Sequence, residues 1–234
     1  MTCIQRFFCL TLTLVAVALS ARADFEVWFL RHGETTWNRE RRLQGSVSYT
    51  KLTENGRLMA MMTGENLAEK GIRFDRIYTS PYDRAKETAE IVASKTGPAP
   101  QEDVRIREMC FGKYEGQTYG GGKYPDDNLR RFFEEPENYV PAGEGAESFD
   151  MVQARIREFL EGELKPLDGK VLRILCVAHS LVLKSLVREL AGEGASAEAR
   201  KTLQPNCCVH VVRYSNGRFA LVETGKVFYD AKRL

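Results

Sequence analysis

The sequence predicts an α/β fold in which a mostly parallel sheet carries helices on both faces. Three features lead there. Apolar strand patterns alternate with helical ones, as at residues 25–30, 58–67 and 74–79. Residues 171–178 are a nearly continuous apolar run with one Arg, the composition of a strand buried on both faces. Two of these strands end in residues able to do chemistry, Arg31-His32 after the first and His179-Ser180 after the later one. Open α/β sheets bind ligands outside the carboxyl ends of their strands, so both pairs stand where a site is expected.

Residues 1–23 precede the fold. Arg6 gives a positive start, residues 7–19 are apolar and uncharged, and Ala21-Arg22-Ala23 is a small-x-small cleavage site. That is the pattern of a secretory signal peptide, cut between Ala23 and Asp24. Its apolar run falls short of the ~20 residues of a membrane span. The expectation is a secreted or periplasmic protein comprising residues 24–234, without stable membrane insertion after cleavage. Arg6 and Arg22 are the only charges in the segment, out of 34 basic and 32 acidic side chains, so the remainder is formally neutral. That balance gives no reason to expect nucleic acid as a partner, and nothing in the sequence bears on oligomeric state.

The first strand runs directly into Gly33, which permits a sharp turn or the close approach of another group. A polar, Arg-rich loop over 34–51 contains Leu43-Gln44-Gly45. Thr53 then caps a helix whose core stripe is Leu58, Met61, Met62 and Leu67, closed by Gly71. After the strand at 74–79, Ser80 and Pro81 read as N-cap and first helical residue, with Ala85, Thr88, Ala89 and Val92 facing inward. Arg84 then falls at the fourth helical position. A cation there opposes the helix dipole unless an anion is bound, and Arg offers a planar fork to phosphate.

Beyond a break at 97–100, Val104-Arg105-Ile106-Arg107 reads as a short edge strand leading into Glu108. Residues 129–133 are a short helix candidate, and the stretch on to Ala146 is a long irregular excursion of the kind that serves as a lid or binding loop, so the rim of a pocket is expected from 118–147. Phe149, Val152, Ile156, Phe159 and Leu160 mark a helix stopped by Pro166 and Gly169, and residues 181–190 are helical after His179. Asn216-Gly217 between two β-rich runs signals a hairpin, with His210 a structural residue in the first run. Four cysteines follow the cleavage site: Cys110, Cys176, Cys207 and Cys208. Their spacing fits neither a disulfide scaffold nor a zinc site. Buried thiols are expected, with a bridge from Cys176 to Cys207 or Cys208 left open.

Three separated motifs resemble those of the histidine phosphatase superfamily, in the branch that includes phosphoglycerate mutases and many phosphatases. They are Arg31-His32-Gly33-Glu34-x-x-x-Asn38, Ser80-Pro81-x-x-Arg84-Ala85-x-x-Thr88-Ala89, and Glu108-x-x-x-Gly112-x-x-Glu115-Gly116. The resemblance spans nearly all of 24–234 and implies a three-layer α/β/α sandwich of the phosphoglycerate mutase-like kind. It implies that His32 is the nucleophile, Glu108 the proton donor and His179 a second catalytic and phosphate-binding histidine. Arg31, Asn38, Gln44, Gly45 and Arg84 become the phosphate and substrate contacts. The implied activity is hydrolysis of small phosphate esters through a phosphohistidine, with a small phosphorylated metabolite as partner and neither metal nor cofactor. A phosphomutase and a non-catalytic phosphate-ester or protein-binding module are the alternatives. The chain departs from the family where Ser180 replaces the glycine after the second histidine, and where Ser46 to Lys51 replace an Asp-Pro approach to Leu52-Thr53. Mutases of the family carry Glu-Arg-His-Tyr-Gly around the acid; Glu108-Met109-Cys110-Phe111-Gly112 resembles the phosphatase members instead.

Overall fold

Six strands form one sheet in the computed structural model, which describes residues 24–191 and 204–234: β1 (Phe25–Arg31), β2 (Arg76–Thr79), β3 (Gln101–Glu102), β4 (Arg173–Ala178), β5 (Cys208–Ser215) and β6 (Arg218–Val227). The segment read as a signal peptide lies outside the described residues. Strand order is β3-β2-β4-β1-β5-β6. The β3–β2, β2–β4 and β4–β1 pairs are parallel, whereas β5 runs antiparallel to both β1 and β6. Only β5 therefore opposes the common direction, as a mostly parallel sheet requires.

Alternation along the central strands divides the core into two layers. Val27 and Phe29 of β1 and Ile174, Cys176 and Ala178 of β4 join one buried cluster, with Val152 and Ile156 of α5 (Phe149–Glu158) and Val182, Leu183 and Leu186 of α6 (Ser180–Ala191). Trp28 and Leu30 of β1 and Leu175 and Val177 of β4 join the other, with Ala60 and Leu67 of α2 (Glu54–Glu69) and Ala85, Ala89 and Val92 of α3 (Asp83–Thr96). Phe29, Leu30, Leu175 and Val177 are all fully buried, and each such side chain stabilises the sheet by roughly 1.5–3 kcal/mol relative to exposure. The result is the three-layer sandwich the motifs imply.

Several local expectations give way. Residues 104–107 do not extend as a strand: Asp103 accepts a hydrogen bond from the Arg105 N–H at 2.8 Å and caps a 3-10 turn at Val104–Ile106, leaving only Gln101–Glu102 at the sheet edge. The first residues of the 74–79 run precede the pairing, which begins at Arg76. Helix α3 starts two residues later than Ser80-Pro81 suggests, with Tyr82 at the N-cap and no side-chain cap bond. Arg84 is thus the second helical residue, not the fourth. On α2, Met62 and Leu67 are buried as expected, whereas Met61 is 38% exposed, and Gly56, Ala60, Thr63 and Gly64 complete the inward face. Small residues take that face because the helix lies against backbone: a Cβ on Gly56 would come 2.1 Å from the Glu34 carbonyl oxygen. All four described cysteines are free. Cys176 and Cys208 sit on β4 and β5 with β1 between them, about 10 Å apart at the usual strand spacing and beyond disulfide reach.

Candidate active site

Parallel pairing of β1 with β4 places Arg31 opposite Ala178. The two chains leave the sheet together, and the His32 N–H donates to the Ala178 carbonyl at 3.0 Å. The imidazoles that follow lie with ring centroids 5.2 Å apart, inclined at 59°. Both are buried. His32 Nδ1 is 2.8 Å from the Gly33 carbonyl oxygen. A carbonyl only accepts, so Nδ1 carries the proton and Nε2 keeps its lone pair. Burial, then the charges of Arg84 and Arg31, hold His32 well below the usual histidine range, so it is neutral near pH 7. His179 is held down by burial first and then by Arg84. An anion bound beside these charges would favour the protonated form of His179.

Two arginines face these rings. Arg84, fully buried, donates from Nη1 to the Val47 carbonyl at 2.6 Å and to Thr50 Oγ1 at 3.3 Å, and from Nη2 to the Gly45 carbonyl at 2.8 Å. The loop between β1 and α2 is thus wrapped around one guanidinium. Arg31 Nη1 donates to the Gln204 carbonyl. Both Nε atoms, and His179 Nδ1, are buried without a hydrogen-bond partner among the described residues. Orphaned charged donors are costly in a folded protein, and two of them beside a pair of histidines fit an anion.

Glu108 closes the group. Its oxygens accept from the Met109 N–H at 2.9 Å and the Leu181 N–H at 3.3 Å. Burial outweighs both bonds and the pull of Arg84, so its carboxyl titrates above the usual carboxylate range. Arg31, His32, Asn38, Gln44, Gly45, Arg84 and Glu108 all line one cavity of about 670 Å³, and Ser180 lines it too. His179 lies behind the lining, its Nε2 2.7 Å from Ser80 Oγ. The residue that replaces the family glycine after the second histidine is thus the first residue of α6 and stands beside the pocket.

Asn38 and Gln44 are held rather than free. Asn38 Oδ1 accepts from the Thr35 N–H, Thr35 Oγ1 and Asn206 Nδ2, each at 3.1 Å, within a capping box on α1 (Thr36–Arg39). Its carboxamide is oriented by its oxygen, which leaves the NH₂ as the group available to a ligand. Gln44 Oε1 accepts from Thr50 Oγ1 at 2.8 Å and lies 3.0 Å from Thr35 Oγ1, whose single proton it shares with Asn38 Oδ1. Gly45 sits at φ 52°, and a Cβ there would meet Glu115 Oε1 at 2.3 Å.

Residues 27–226 match the family model described as histidine phosphatase superfamily (branch 1). The chain belongs to the histidine phosphatase superfamily. Within that superfamily it is 35% identical over 191 residues to the probable phosphoglycerate mutase GpmB of Klebsiella pneumoniae subsp. pneumoniae, covering 81% of this chain and 85% of the relative. Among solved structures it is similar to Bacillus stearothermophilus YhfR, with TM-score 0.77, 32% identity and coverage of 87% and 98%. It is also similar to the phosphoserine phosphatase of Entamoeba histolytica solved with 3-phosphoglyceric acid, with TM-score 0.71, 26% identity and coverage of 87% and 98%.

The superfamily motifs do not include everything the site uses. Gln204 and Asn206 were not singled out from the sequence, yet the Gln204 carbonyl holds Arg31, and Asn206 Nδ2 donates both to Asn38 and to the His32 carbonyl at 3.0 Å. They arrive because β5 is antiparallel to β1, so its start lies beside the end of β1, with Leu30 opposite Val209. The available signal was a polar Gln204-Pro205-Asn206 abutting an apolar strand. Ser80, expected as a helix cap, instead meets His179.

Proposed function

We propose that the protein is a phosphomonoesterase that passes the phosphoryl group of a small phosphate ester first to His32 and then to water. The observation that carries this reading is the grouping of two orphaned arginine donors with a neutral histidine whose Nε2 lone pair is unprotonated. In this scheme Arg31, Arg84 and the Asn38 amide hold the phosphoryl oxygens, and His179 takes up charge as the dianion binds. Transfer through a loose, metaphosphate-like state asks mainly for positioning and charge matching. His32 Nε2 forms a bond to phosphorus in line as the ester P–O bond breaks. The protonated Glu108 gives its proton to the departing oxygen. Glu108, now ionised, takes a proton from water, which attacks phosphorus, breaks the P–N bond and releases phosphate. The scheme needs no metal or cofactor.

The printed name of the curated relative favours a second reading, a phosphomutase that returns the group to a second hydroxyl. Against it, Met109 and Phe111, which flank the acid, are buried and apolar and offer no charge to a second phosphate. One preparation decides between them. Phosphate release from small monoesters is expected to persist in chelator and to outpace interconversion of 2- and 3-phosphoglycerate. Acid-labile phosphoenzyme is expected in the wild type and absent in His32→Ala. Isomerisation faster than release establishes the mutase; full turnover by a folded His32→Ala protein removes the mechanism.

A further inference from the structure

The cavity is larger than a phosphoryl group needs. About 670 Å³ falls within the range of pockets that take drug-sized ligands, and the residues given roles above form only part of its lining. Much of the rest is aromatic: Phe111, Tyr119, Phe132, Phe133, Tyr139 and Phe149.

These rings form one continuous wall. Phe132 stands edge-on to Phe111, Phe133 and Tyr139 at 5.1, 4.9 and 5.2 Å between centroids, and stacks on Phe149 at 5.1 Å and 16°. Phe133, 38% exposed, stacks on Tyr119 at 5.4 Å and 22°. Such separations are those of favourable aromatic pairs. The wall's supporting segments are also held by the protein's own hydrogen bonds. Asp126 caps α4 (Asp127–Glu134) and accepts from the Tyr114 hydroxyl at 2.8 Å, while Asn128 bonds the backbone of Val140 in both directions. The wall reaches Phe111, three residues beyond the acid that would protonate the leaving oxygen. Charge elsewhere in the lining is mostly matched: Arg42 pairs with Glu40 at 2.7 Å and Arg188 with Asp150 at 3.6 Å. Apart from Arg31 and Arg84 of the phosphate group, Lys184 is the lining cation without an ion pair among the described residues.

We propose that the aromatic wall receives the alcohol portion of the substrate. The class it fits is a phosphomonoester whose alcohol carries a flat apolar group, in preference to a phosphorylated hydroxy acid or polyol. This rests on the phosphatase reading above.

The test compares kcat/KM for 2-phenylethyl phosphate, glycerol 3-phosphate and O-phosphoserine. All three are primary alkyl esters, so leaving-group chemistry is held nearly constant. Burying a phenyl-sized apolar surface corresponds to a preference of roughly 10- to 100-fold for the first over the second. Phe133→Ala and, separately, Tyr119→Ala are each expected to cut that ratio at least about fivefold by removing half of an exposed stacked pair. Equal kcat/KM for the two esters overturns the inference, as does a ratio unmoved in both folded variants. A preference for O-phosphoserine that vanishes in Lys184→Ala overturns it too, and makes the cavity a reader of carboxylate. If none of the esters releases phosphate, the phosphatase reading itself falls and takes this inference with it.

Discussion

A single carboxyl shows how the site divides its labour. Glu108 is buried, and burial raises its pKa even though two backbone N–H groups bond its ionised form. His32 is shifted in the opposite direction by burial and two guanidinium charges. A proton donor that holds its proton longer and a nucleophile that stays neutral further into acid overlap in one pH window. The forward step needs protonated Glu108, so the rate is expected to fall as pH rises through its raised pKa. It needs neutral His32, so the acid limb is expected only well below 6.5. Glu108→Gln keeps the shape and removes the proton. Its kcat on alkyl esters is expected to drop by about 10²–10⁴, with much less loss on p-nitrophenyl phosphate, whose leaving group needs no proton, and with the alkaline limb abolished. Equal losses on both esters would exclude Glu108 as the acid.

At the scale of elements, two glycines set how near α2 comes to the nucleophile's turn. Gly33 is not in the left-handed region; what it supplies is space, since a Cβ there would lie 2.5 Å from the Gly56 carbonyl oxygen. Its N–H donates to Thr88 Oγ1 on α3 at 3.0 Å. Turn, α2 and α3 therefore lock together immediately beside His32. Both sides of the Gly33–Gly56 contact are backbone and cannot rotate away, so Gly33→Ala is expected to cost about 1–3 kcal/mol. For a chain of this size that lowers Tm by roughly 2–10 °C in a thermal melt, with kcat reduced because His32 moves with the turn. An unchanged Tm would show that the contact relaxes without cost.

The whole molecule buries all three of its histidines, His32, His179 and His210. His210, expected to be structural, bonds Gln204 Oε1 through Nε2 at 2.5 Å and is pushed down by burial to about 4. Each has a folded pKa below its unfolded value of about 6.5. The unfolded chain then binds more protons below that value, so stability is retained above pH 6.5 and lost as pH falls toward the folded pKa. For His210 alone the loss approaches roughly 3 kcal/mol by pH 4. The midpoint of urea unfolding is expected to decline between pH 6.5 and 4, and less steeply in His210→Gln. Export is a second expectation at this scale: intact mass of the exported protein should place the N-terminus at Asp24, and a membrane-retained chain that keeps Met1 would show an anchor.

What the sequence determined by itself was local and periodic. Apolar alternation is dictated by the strand repeat, so β1 and β4 and the residues that end them were legible, as were the hairpin at Asn216-Gly217 and the inward face of α3. The short motifs flagged Arg31, His32, Arg84 and Glu108, which line one cavity; a strand end or first helical turn fixes the first three within a few residues, whereas Glu108 follows a 3-10 turn where a strand was expected. The tertiary structure decided everything that depends on strand direction and on backbone meeting backbone. The reversal of β5 brought Gln204 and Asn206 to the site from more than 170 residues away in sequence. Close approach to the Glu34 backbone turned Gly56 inward, and Met61 faces outward on the same helix. The aromatic wall, gathered from residues 111–149, followed no period at all. Hydrophobicity records which residues avoid water, whereas partners across a sheet or a lid are chosen by packing that forms only when distant segments meet.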